Sequence, residues 1–102
     1  MLVSLSPNSP PILEHTADFA AFKVVGAGVG LTAPLCAALA EIGRIGADER
    51  HVWIDREWLH AAGPQTAEWA AGLSQMIESA VIHGWTDEAG AVRAHLEFTE
   101  NL

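Results

Sequence analysis

A chain of 102 residues has room for one domain, because dividing it would leave pieces too small to bury a core. Half of the residues are hydrophobic and 18% are charged, which excludes a disordered chain. Five Lys and Arg against 13 Asp and Glu give a formal net charge of -8; with the basic residues scattered, this excludes nucleic acid and anionic lipid as partners.

The opening SLSPNSPPIL crowds three prolines into five positions. Residues 1–14 are therefore expected as an extended N-terminal arm, unable after Leu5 to join a hydrogen-bonded ladder, ahead of a domain spanning 15–102. The start also lacks the basic residues and apolar stretch of a secretory signal, so the cytoplasm is the expected location. HTADFAAF reads either as a short helix capped by Thr16 or as the approach to a strand at Ala21–Val25, and the strand is favoured.

From Val24 to Ala40 no residue is charged, but the run is shorter than the roughly 20 residues a bilayer demands and is broken by glycines and Pro34. No membrane partner is expected. Leu35, Leu39 and Ile42 recur at helical spacing, predicting a buried helix over Leu31–Ile45, with Thr32 as cap, Gly43 and Gly46 at its end and Arg44 against its dipole. Cys36, the only cysteine, sits among apolar residues and is expected to be a buried, inert thiol.

HVWID predicts a strand over His51–Asp55, then a short helix, REWLHAA, capped by Asp55 and stopped at Gly63 and Pro64; one continuous helix from Asp48 is the alternative. Residues 65–83 carry the clearest pattern, an amphipathic helix with Trp69, Leu73, Ile77, Ala80 and Val81 on one face. Gly72 costs that helix about 1 kcal/mol relative to alanine, which predicts close approach of another element, most simply a second helix. At the end, a turn over Asp87–Gly90 precedes a strand with Val92, Ala94, Leu96 and Phe98 inward and Arg93, His95 and Glu97 outward. Such alternation predicts an antiparallel or edge strand.

The stretch VVGAGVGLTAPLCAALAEIG, followed by HVWID, resembles the flavin- and nicotinamide-binding fingerprint. That resemblance implies a tight turn at Gly26, pyrophosphate close to Gly28 and helix amides from about Gly30. The sequence departs from it at Leu31, where the motif has glycine or alanine, and at Asp55, which lies beyond the usual distance of the ribose-binding acid. The chain is also too short for a second nucleotide-binding half. The glycines are therefore read as a bend in a small core, and no cofactor is expected.

His15, His51, His60, His83 and His95 show no metal-ligand spacing, so no metal site is assigned; His51 with Asp55 and His95 with Glu97 are the nearest pairs. His83 ends the amphipathic helix and is expected to bond its last carbonyls. No catalytic residue is assigned, and whether the protein is an enzyme stays open. The four tryptophans are more informative, because a domain this small has few places to bury them all.

The expected fold is thus α+β, with a small, mostly antiparallel sheet of three or four strands and two or three helices. The leading functional expectation is an acidic structural or protein-interaction module, a homo-oligomer with Trp58 and Trp69 at its interface or a docking partner for another protein. The alternative is a small enzyme or binding protein that takes an aromatic or acyl ligand at a subunit interface, with Trp58, His60 and Trp85 as the ligand-binding residues.

Overall fold

Alternation along the last strand sorts the molecule into two layers. In the computed structural model, which describes residues 1–7 and 9–99, the chain forms β1 (Leu2–Leu5), β2 (Ile12–Glu14), β3 (Lys23–Ala27), α1 (Ala33–Ala40), β4 (Gly43–Ile45), β5 (His51–Ile54), α2 (Arg56–Ala62), α3 (Ala67–Ile82) and β6 (Val92–Thr99). The α+β class expected from sequence is correct, but the sheet is larger and mixed. Six strands run in the order β2-β1-β3-β6-β5-β4. The β1–β3 and β3–β6 pairs are parallel, while β1–β2, β5–β6 and β4–β5 are antiparallel.

Residues 1–14 supply two of those strands and do not hang free as an arm. Pro7, Pro10 and Pro11 fall in the connection between β1 and β2, so Ile12–Glu14 keep their amides and pair with Leu2–Ser4. β6 is likewise central, not an edge strand. Its outward Arg93, His95 and Glu97 stay half-exposed or exposed because the helices cover only one face of the sheet.

That covered face holds the core. Val3, Val24, Leu96, Ala94, Val52 and Ile54 meet Leu35, Leu39, Leu59, Leu73 and Ile77 of the helices in one buried cluster. Each fully buried leucine contributes about 1.5–3 kcal/mol. Among the described residues no helix is long and apolar enough to cross a membrane.

The first helix is shorter than its sequence pattern. It stops at Ala40, and Gly43–Ile45 instead pair with Val52–Ile54 as an edge hairpin. Only a glycine fits at position 43, where an added Cβ would collide with the Trp53 carbonyl. Arg44 is thereby carried away from the helix dipole and over the Trp53 ring, 5.2 Å from its centroid. Cys36 is exposed, since α1 turns Leu35, Ala38 and Leu39 inward and leaves position 36 off that stripe.

α3 begins at the Thr66 cap, whose hydroxyl accepts from the Trp69 amide, and buries Trp69, Leu73, Ile77 and Ala80. Val81, expected on the same face, is 53% exposed, because helical spacing carries it past the edge of the stripe formed by Trp69, Leu73, Ile77 and Ala80. Gly72 does mark a close approach, but the visitor is Phe19 from the β2–β3 connection and not a second helix. A Cβ at Gly72 would lie 2.5 Å from the Phe19 ring. Trp69 fastens the same connection by donating its indole N–H to the Thr16 carbonyl at 2.7 Å.

This packing predicts that Gly72→Ala destabilises the protein despite the better helix propensity of alanine. Overpacking against Phe19 costs about 1–3 kcal/mol and offsets a gain of about 1 kcal/mol. Urea unfolding should show a lower midpoint; a raised midpoint would mean that Phe19 does not rest on Gly72.

Candidate functional site

The stop signal of α3 builds one wall of a cavity. Gly84 follows the His83 cap with φ at 76°, a left-handed conformation that glycine adopts without penalty. The Gly84 amide then bonds Val81 O at 3.0 Å and the Trp85 amide bonds Ala80 O at 2.7 Å, the paired bonds of a Schellman close. His83 places its Nδ1 2.8 Å from Ser79 O; a carbonyl only accepts, so Nδ1 carries the proton. The imidazole stacks on Trp85 with centroids 4.6 Å apart. HGW is thus a helix terminator that also aims an indole.

Trp85 next meets β6. Its carbonyl accepts from the Arg93 amide at 2.9 Å, and Thr86 bridges to Val92. On the same edge of β6, the ladder with β3 begins only at the Lys23–His95 pair. Only Ala94 lies between these two partners, and the chain leading into β3 swings off toward α3 with Phe19. A cavity of about 290 Å³ lies between that segment, α3 and β6, at the lower end of the roughly 300–1,000 Å³ of small-molecule sites.

Its walls come from five segments. Phe19 and Phe22 stand on the β2–β3 connection, Met76 and Ser79 on α3, Trp85 after the helix stop, and Arg93 and His95 on β6, with His51 beside them on β5. The apolar rings gather with α3 and its Ser79, while Arg93, His51 and His95 stand on the sheet side. His51 and His95 are cross-strand partners with ring centroids 5.6 Å apart in an edge-on arrangement. The Arg93 guanidinium lies over the Trp85 ring, 5.9 Å from its centroid.

Carboxylates hold the surroundings. His51 Nδ1 donates to Asp48 Oδ2 at 2.8 Å. That bond, joined by the Arg50 and His51 amides, lowers the Asp48 carboxyl from 3.8 to about 2. Glu97 accepts from Lys23 Nζ at 3.1 Å and stands 3.9 Å from His95. Arg44 donates to Asp87 and holds that carboxyl below its ordinary value, with the Ala91 amide assisting. Among the described residues no three His, Cys, Asp or Glu side chains converge as a metal set.

Of the residues expected to bind a ligand, only Trp85 lines the cavity. Trp58 and His60 belong to α2, which packs on β2, and they do not reach it. Trp58 is half-buried against the core. Trp69, expected with Trp58 at an interface, is 7% exposed. Asp55 stands at the cap position of α2, and His51 turns to Asp48 instead of to it. Phe19, Phe22, Met76 and Arg93 were not singled out from sequence. The one available signal was Gly72, which marked where Phe19 docks.

The glycine loop serves packing. Gly26 lets the Phe98 ring come within 3.2 Å of where its Cβ would be, and the Gly28 amide donates to Thr99 O at 2.7 Å. At the start of α1, Pro34 has no N–H and the Thr32 hydroxyl takes that of Leu35. The helix end accordingly has little to offer a phosphate. No family model, curated protein or solved structure matches the chain.

The helix stop and the Asp48 bond can each be probed by one substitution. Gly84→Ala must hold a Cβ in the left-handed region, at a cost of about 1 kcal/mol. Thermal unfolding should report that loss together with a shifted tryptophan emission, and no change would mean that the helix does not end in this geometry. The second concerns acid. Asp48 titrates lower in the folded chain than at its ordinary 3.8, so its contribution to stability is full above that pH and is lost as pH falls to about 2. Asp48→Asn should therefore flatten the pH dependence of the urea midpoint across this window; an unaltered slope would discount the His51 bond.

Proposed function

We propose that the protein is a binding module that takes a small aromatic or acyl molecule into the cavity between α3, the Phe19–Phe22 segment and β6. The observation that carries this reading is the lining itself: three aromatic rings and Met76 around a partly open space of about 290 Å³, with Arg93, His51 and His95 together on the sheet side. That division suits a ligand with an apolar body and one polar end. It retains Trp85 from the sequence expectation but moves the site away from Trp58 and His60.

A second reading has its own support. Val81 and Ile82 are 53% and 83% exposed at the end of α3, beside Trp85 at 43%. An apolar ridge of this kind suits a protein partner, including a second copy of the chain. It would replace the interface expected at Trp58 and Trp69.

The two readings separate in one pair of experiments. In ¹H–¹⁵N correlation spectra, the neutral probe 2-naphthamide should shift the Trp85 indole resonance and the amides of Met76 and Ala80. Trp85→Ala should weaken its binding about tenfold, the effect of removing one aromatic wall from a pocket. Sedimentation of the wild type and of Ile82→Glu tests the ridge. A wild-type dimer that Ile82→Glu dissolves, with no probe shifts, would favour the protein-interaction reading and overturn the ligand one.

A further inference from the structure

We propose that the molecule taken by this cavity is a carboxylic acid whose anion is held by Arg93. The inference rests on the binding reading above and names the ligand's polar end. Among the described residues no Asp or Glu lines the cavity, whereas one of the chain's five Lys and Arg does. In a protein of net charge -8 a lining with an arginine and no carboxylate matters, because an anion meets repulsion over most of the surface.

Arg93 is also uncommitted. On the same open face of the sheet Lys23 is bound to Glu97 and Arg44 to Asp87, while Arg93 makes no ion pair among the described residues. Its position is nonetheless fixed at two points. The Arg93 amide is tied to the Trp85 carbonyl, and the guanidinium rests over the Trp85 ring. At 5.9 Å from the ring centroid the guanidinium is near the indole, and its N–H groups make no hydrogen bond to a described residue that would compete with the two oxygens of a carboxylate.

The neighbours argue for a single negative charge. His51 and His95 stand beside Arg93 on the sheet, but Asp48 holds the first at 2.8 Å and Glu97 lies 3.9 Å from the second. Those carboxylates balance whatever charge the imidazoles carry and would oppose a dianion. One guanidinium matches one carboxylate; a phosphate monoester brings more charge than the site offsets. The apolar body of the acid would lie against Phe19, Phe22, Met76 and Trp85.

Matched probes test this. Binding of 2-naphthoate, 2-naphthamide and 2-naphthyl phosphate, and of octanoate with octanamide, would be followed at neutral pH through the Trp85 and Ala80 resonances in wild type, Arg93→Gln and Arg93→Lys. For at least one scaffold the acid should bind about tenfold or more tighter than its amide, as a hydrogen-bonded charge pair implies. Arg93→Gln should bring the acid down to the amide's affinity without moving the amide, Arg93→Lys should restore part of the difference, and the phosphate should bind more weakly than the carboxylate. Equal affinity of acid and amide, or a preference that survives Arg93→Gln, would overturn the role of Arg93 while leaving the cavity a binding site. A phosphate that binds more tightly than the carboxylate would overturn the carboxylate assignment. If no probe moves either resonance, the binding reading fails and this inference with it.

Discussion

β6 changes partner along one edge, and that change organises the molecule. From His95 onward that edge is paired with β3, while at Val92 and Arg93 it is bonded to Trp85 and Thr86. A continuous strand partner would have closed the sheet. The chain before β3 instead leaves the ladder to dock on α3, and the cavity beside it joins the helix layer to the open face of the sheet. Side chains of both layers, Met76 from one and His95 from the other, therefore line the same cavity.

The departure of that segment is held by apolar contact, by the Trp69 indole bond and by Met1 N, which donates to Asp18 O and Ala21 O. Phe19 rests on Gly72 and tilts against Trp69 with ring centroids 6.2 Å apart, while Trp69 Nε1 binds Thr16 O. The Trp69 ring in turn crowds Gly63, where a Cβ would run into the indole. Two glycines on different elements thus make room for the two rings. The stability of the fold and the shape of the cavity share these contacts, so a change that loosens one alters the other.

Much of the local structure was legible in the sequence. α2 ends at Ala62 as Gly63 and Pro64 indicated, α3 runs from the Thr66 cap to the HGW stop, and β6 alternates as its residue pattern predicts. These features depend on side chains close in the chain, where turn preference and periodicity act directly. The Gly43–Ile45 strand was hidden inside a helix-like pattern because its reason is remote: the close approach of Trp53 across the hairpin. The hairpin of β1 and β2 was hidden by prolines that lie between its strands.

The candidate site shows the same division more sharply. Trp85 stands out in the sequence as a wide ring that a small domain has trouble burying, and Gly72 as a glycine in a helix. Nothing local connects either to Arg93, which is eight residues beyond Trp85 and reaches it through a strand bridge. The sequence by itself determined an acidic α+β chain, its three main helical segments and the inward face of β6, since composition and short-range spacing decide those. Tertiary structure alone decided the six-strand order, the parallel pairing of β3 with β6 and the cavity between β6, α3 and the Phe19–Phe22 segment. Those depend on which distant backbone edges meet, and no spacing along the chain encodes that.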